Sequence, residues 1–426
     1  VGASLGAALR FDPSHPSTIR AAVYQIPAAA LFLAMLAALA LESRHELAAA
    51  DWRQFRGSDS TSVAAESDPP IEWGPEKNIA WKADLPGRGL SAPIVVAGRV
   101  IVTASSGVEQ DRLHVSCFDQ RTGAKRWERR FQATGRTQCH GKTCVAAPTP
   151  ASDGERVFAF YSSNDVVCLD LEGALVWHRG LGFDFPNASN SLGMSSSPVV
   201  SGETLVVQVE SDDDSFAVGL DTASGVSRWK IARPNRANWS SPLSLGEGGV
   251  LLQSSAGVTA IDPRTGRELW SYDDGASTIP SSVAADGAVF VPSHGITALR
   301  PGGTGEPPEQ AWREAKLRPA TASPIVLDGR ILALNSAGVL TAADAQSGEE
   351  KWRLRLEGPF SASPVAAGGR LYFFNETGLG FVVQPGESEG KIVGRGDLAE
   401  TILGTPAVAG DALFVRSDGH LWKIGQ

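Results

Sequence analysis

"AIDPRTGRELW", residues 260–270, decides the fold because the chain writes it again. "CFDQRTGAKRW" ends at Trp127, "GLDTASGVSRW" at Trp229 and "AADAQSGEEKW" at Trp352. Each residue type in the motif has a physical task. Asp accepts from backbone N–H groups two residues ahead and so shapes a turn. Gly enters the left-handed region without a Cβ clash. Trp offers a plate of about 150–250 Å² for burial. One copy is a hairpin, whereas a series at a fixed period is a repeat architecture.

A second landmark sets that period. A small polar residue precedes Pro, a Gly follows four or five residues later, and an apolar strand comes next. Such starts fall at Pro93, Pro150, Pro198, Pro242, Pro324, Pro364 and Pro406, with Ser282 in the Pro place of another. The eight starts are 40 to 44 residues apart in the last five intervals, and 57 and 48 apart in the first two. Each unit reads as four strands. The first follows the Pro, the second carries runs such as "RVIVTAS", and the third runs into the Asp turn. The fourth carries the Trp. A sheet this small cannot bury both faces alone. Sheets stacked around an axis cover one another, and a period of about 40 to 45 residues is the sign of that arrangement. The spacing therefore predicts an all-β chain, an eight-bladed β-propeller of four-stranded antiparallel blades.

Trp127, Trp177, Trp229, Trp270, Trp312 and Trp352 form a ladder expected to lie between blades, with Val393 near the Trp place of the seventh unit. The eighth unit has three strands, ending "GHLWKIGQ". "NIAWKADL" (78–85) looks like the missing fourth strand with Trp81 as its plate, so the N-terminal strand should close the last blade and remove its open edge. The propeller then spans 78–426, preceded by an arm at 51–77 and a leader at 1–50. Within the leader, "IPAAALFLAMLAALAL" (26–41) has the length of a signal-peptide core, and Ala48–Ala50 offers small residues for cleavage. An uncleaved anchor is the other reading of this stretch. The mature chain is expected to be exported, soluble in the periplasm or cell envelope, monomeric and without a membrane span. Its formal net charge of −9 argues against a nucleic-acid binder.

The units resemble the PQQ-binding-like, quinoprotein-type propeller repeat, A-x-D-x-x-T-G-x-x-x-W, over residues 78–426. "DWRQFRG" (51–57) and "WGPEKNIAWKADLPGRGLSAPIV" (73–95) resemble the N-terminal signature of exported propellers described as BamB-like. The resemblance implies a scaffold or protein-binding module in the envelope, with envelope proteins or a peptide segment as partner. It also carries an alternative, a redox enzyme holding PQQ with calcium. The chain lacks the vicinal cysteine pair of quinoprotein dehydrogenases, and the repeat alone does not transfer an activity. No cofactor is expected on the leading reading.

The fold selects which loops to weigh. Connections from the fourth strand to the next first strand converge on one face, and binding residues concentrate on loops held by a rigid scaffold. These loops carry Arg88, Arg136, His140, Lys142 and Asn187. They also carry Asn190, Arg236, Asn238 and Trp239, with Arg233 and Arg318 beside them, while acids are nearly absent. A small polar or anionic ligand, or a peptide, at the channel mouth is the functional expectation. The bland alternative is that these side chains only bond blade carbonyls. Cys139 and Cys144 in "CHGKTC" suit a short disulfide in an exported chain, with free thiols as the alternative and a metal pair as a weaker one because its spacing lacks C-x-x-C. Cys117 and Cys168 occupy strand places filled elsewhere by Gly or Ala and read as small core residues. "SDDDS" (211–215) lacks calcium-loop spacing and reads as a solvated hairpin tip, so no metal site is expected. No catalytic residue is assigned, because a Ser-His-acid triad is a spatial arrangement that sequence order cannot reveal.

Overall fold

The structure, a computed structural model, describes residues 51–189 and 191–426; the expected leader and Asn190 lie outside the described residues. The described residues belong to one compact unit, Leu47–Gln426. It contains eight sheets; six are built in chain order from an inner to an outer strand, and the last two each take a strand from the N-terminal segment. The first blade is Ile94–Val96, Arg99–Ser106, Arg112–Asp119 and Lys125–Gln132. Among the described residues helix is confined to Leu181–Asp184 and a 3-10 turn at Gly246–Gly248, and none is long and apolar enough to cross a membrane. Ile79–Asp84 pairs antiparallel with His420–Ile424, Asp84 opposite His420, which completes the last blade as expected.

The seams explain the motif. Trp229 Nε1 donates to Pro263 O at 2.8 Å, and its ring lies over Gly266 of the next blade's turn. Gly266 has φ +70°, and a Cβ there would stand 2.7 Å from the indole. Trp81, Trp127, Trp177, Trp312 and Trp352 donate in the same way to Gln120, Leu171, Thr222, Ala345 and Gly386. Trp and Thr-Gly therefore serve one contact: the plate of one blade docks on the turn of the next. The fifth blade has a longer connection at 301–306, and there Trp270 lines an open hollow of about 1090 Å³ instead.

The arm packs into the propeller. It crosses the end of the channel opposite the loop face and bonds the inner strands of successive blades. Trp52 exchanges backbone bonds with Val95, Arg53 O accepts from Ser152 N, and Gln54 Oε1 accepts from Val200 N. Arg56 donates to Ser282 O at 2.8 Å and Pro324 O at 2.7 Å. Val63–Ala64 then runs parallel to Ala366 and Ala367, giving the seventh blade a fifth, innermost strand. Trp73 packs 5.2 Å from Phe374, over Gly380 and Gly396. It supplies the plate that Val393, 39 % exposed, does not.

Candidate functional site

The residue before each Pro start has a role beyond marking the repeat. Thr149 N donates to Ser197 Oγ, Ser197 N to Ser241 Oγ and Ser241 N to Ser281 Oγ, at 2.9–3.0 Å. Ser281 N donates to Ser323 Oγ, Ser323 N to Ser363 Oγ, and Ser363 N to Thr405 Oγ1. With Ala92 N on Thr149 Oγ1, the relay has seven links, each joining two neighbouring blades. Each hydroxyl oxygen accepts a backbone N–H, which leaves its own O–H for the axis. The side chains are buried and surround a cup of about 370 Å³. Phe55 of the arm lines this cup along with the ring of hydroxyls, and Leu192, Ile279 and Leu403 add apolar surface.

Three of the expected residues come together here. His140, Lys142 and Trp239 line the cup. Trp239 is held by Nε1 donating to Gly193 O at 2.7 Å, and His140 Nδ1 accepts from Lys142 N at 3.1 Å. The remaining residues have other work. Arg88 stands beside the mouth, its Nη2 on Gly141 O and its Nε 3.3 Å from Asp418. Arg136 is exposed and reaches Ser189 Oγ at 3.5 Å; Asn187 and Arg236 are exposed away from the cup. Asn238 is buried and donates to Gln253 O, a structural role. Arg233 pairs with buried Glu210 at 2.7 Å, and Arg318 bonds Ala315 O.

The expected excess of cations on this face is reduced. Hairpins joining the second and third strands lie on the same side and bring acids to the loops. Lys142 Nζ is 3.1 Å from Glu376, which also accepts from Ser361, and Asp418 faces Arg88. Sequence reading weighed one set of connections, whereas the fold presents two.

The expected Cys139–Cys144 disulfide is not formed, and all four cysteines are free. The intervening turn, Thr143 N on His140 O, sends the two side chains apart. Cys144 packs among Val145, Ala146 and Tyr161, where burial pushes its thiol up to about 12. Cys139 faces Gln110 Nε2 at 3.6 Å. Cys117 and Cys168 are fully buried, as read from their strand places. Asp212, Asp213 and Asp214 are exposed at their hairpin tip. Among the described residues no three His, Cys, Asp or Glu side chains gather as a metal site.

Comparison with known proteins places this geometry. No curated protein matches the chain. Among solved structures, BamB from Moraxella catarrhalis is 19 % identical with a TM-score of 0.58, covering 82 % of this chain and 97 % of its own. A europium-containing methanol dehydrogenase is 13 % identical with a TM-score of 0.66, covering 87 % and 90 %. Quinohemoprotein alcohol dehydrogenase from Comamonas testosteroni is 14 % identical with a TM-score of 0.65, covering 88 % and 81 %. At these identities the likeness is one of fold, shared by BamB and by two dehydrogenases. The family described as outer membrane protein assembly factor BamB matches residues 55–209, 113–299 and 296–385, most of the described chain, and the protein belongs to that family of PQQ-like repeat propellers.

Proposed function

We propose that this propeller is an exported binding module of the cell envelope that seats a segment of a partner protein in its mouth. The observation that carries the reading is the cup: hydroxyls ring it, the arm's Phe55 lines it, and Trp239, His140 and Lys142 stand around it. An apolar side chain suits Phe55, Trp239 and Leu403. The hydroxyl hydrogens and Lys142 suit the carbonyl or carboxylate groups beside it. Family membership supports the same reading. The quinoprotein alternative has weaker support. Calcium takes 6–8 oxygen ligands including carboxylates. The acids beside the mouth are already engaged, Glu376 by Lys142 and Ser361 and Asp418 by Arg88.

A photo-crosslinking residue at Ile279, 48 % exposed at the cup, is the test. In intact envelopes it should give a discrete protein adduct. The same residue at Val226, 61 % exposed on a turn away from the mouth, should not. Equal or absent adducts at both positions would overturn the reading.

A further inference from the structure

At the edge of the first blade three successive strands place three side chains in line. Ser106 ends the second strand, His114 stands on the third, and Glu128 stands on the fourth. In register, Ala104 lies opposite His114 and Ser116 opposite Glu128. The period of two along each strand puts Ser106 on the side of Ala104, and His114 on the side of Ser116. The side chains meet on that face. Ser106 Oγ is 2.7 Å from His114 Nε2, and His114 Nδ1 is 3.1 Å from Glu128 Oε1. A carboxylate at Nδ1 demands the Nδ1–H tautomer, which leaves the Nε2 lone pair for the serine proton.

The surroundings suit a base and its orienter. Burial pushes His114 below its usual value, more than the Glu128 contact raises it, so the ring is neutral and able to accept a proton. Burial works to raise Glu128, but hydrogen bonds from Lys125 and His114 more than offset this and hold it ionised. Lys125 Nζ sits 2.9 Å from the other carboxylate oxygen, while Oε1 faces the imidazole with Arg130 Nη2 more distant at 3.9 Å. Ser106 leads directly into the hairpin tip, where Gly107 has φ +90° and Val108 is 98 % exposed. Among the described residues, the N–H groups of Gly107 and Val108 have no acceptor. The N–H of the residue after a nucleophile is a recurrent oxyanion donor.

We propose that Ser106, His114 and Glu128 form an acyl-transfer site that hydrolyses small carboxylic esters at the hairpin end of the first blade, with Ser106 half-buried and His114 buried behind it. Ser106 Oγ bonds the ester carbonyl carbon as His114 Nε2 takes its proton. The bond to the alcohol oxygen breaks, and that oxygen leaves with the proton from His114. Water then gives a proton to His114 as its oxygen bonds the acyl carbon. The Ser106–acyl bond breaks, the serine recovers the proton, and the sum is ester plus water to acid plus alcohol. Glu128 is a positioning residue, holding the tautomer and the imidazolium. Ser106 stands beside the exposed tip at Val108, so compact activated esters are its expected substrates. It is independent of the mouth and of partner binding there.

The test uses the full chain with p-nitrophenyl acetate and a fluorophosphonate probe. The probe should label one site, found by mass spectrometry on the peptide holding Ser106. S106A should abolish labelling, and H114Q should slow hydrolysis by at least about 100-fold, the usual contribution of a positioned base. E128Q should lower kcat while leaving KM near its starting value. Thermal melts of S106A, a small change at a half-buried position, check that the blade remains folded. Labelling at another residue, no labelling, or hydrolysis retained in S106A would show that Ser106 and Glu128 only satisfy a buried imidazole, and would overturn the proposal.

Discussion

Arg416 in the eighth blade donates a 2.6 Å hydrogen bond to the carbonyl of Thr103 in the first. The same nitrogen reaches Ser91 Oγ at 3.1 Å, and Nε bonds Ser417 O. This is the seam where the hydroxyl relay stops, because Ala92 has no side-chain hydroxyl to offer Thr405 N. An arginine thus ties the junction that the relay cannot. Burial lowers its pKa from 12.5 to about 10, so the guanidinium stays charged at neutral pH. R416A leaves buried acceptors unpaired and a void beside Gly89, and should lower unfolding free energy by about 2–3 kcal/mol. Denaturant melts would measure this. A loss near zero would mean that the seam relies on apolar packing alone.

The arm's Trp73 should matter as much as a ladder tryptophan. It fills the seventh seam against Phe374, and Gly380 and Gly396 leave room for its ring. W73A and W229A should each cost about 3–5 kcal/mol, the usual range for emptying a large aromatic site. G396A should be costly too, since its Cβ would stand 2.2 Å from the indole. If W73A melts like the parent while W229A does not, Trp73 is an ornament of the arm and not a wedge.

The motif's Asp predicts an acid response. Asp221 is held down to about 2, chiefly by the Arg228 hydrogen bond and then by Ser224. Asp119 is held down by Arg126 first, Asp262 by the Arg264 backbone N–H, and Asp344 by the Ser347 backbone N–H. A depressed folded pKa means that the unfolded chain binds more protons across the interval. Stability is then fully present above the unfolded value of about 3.9 and falls as pH drops toward 2. Unfolding midpoints should therefore decline from pH 4 downward. D221N should start less stable at pH 7 and decline with a shallower slope. An unchanged slope would show that this turn adds nothing to acid stability.

The propeller was legible because its signal is local and repeated. Asp262, Gly266 and Trp270 lie within nine residues of one another, and the next copy restates them. The closing strand around Trp81 was legible for the same reason. The arm was not. Arg56 meets Ser282 across 226 residues, and nothing in "DWRQFRG" names that partner. At the mouth, the serine before each proline was visible as a landmark, but its hydrogen bond exists only between blades. Loop reading found His140, Lys142 and Trp239. It overestimated the loop cations because Glu376 and Asp418 arrive from other hairpins on the same face. Ser106, His114 and Glu128 lay within 23 residues of one another and still went unread, since only strand register brings them together.

The relay itself predicts a pair of opposite effects. S281A removes the acceptor of a buried backbone N–H at Ser241, now bonded at 2.9 Å, without emptying much volume. Leaving that donor unpaired should cost about 1–3 kcal/mol. A92S makes the reverse change at the broken link. Ala92 is 1 % exposed and occupies the place of Thr149 or Ser197 in its own blade, so a serine hydroxyl would face Thr405 N. One added hydrogen bond is worth about 0.5–1.5 kcal/mol, and A92S should raise the melting temperature accordingly. The two variants separate bonding from packing. If the hydroxyls merely fill space, A92S crowds a tight ring and destabilises it, and S281A is nearly silent. If they link blades, S281A destabilises, A92S stabilises, and the combined variant should approach the parent protein.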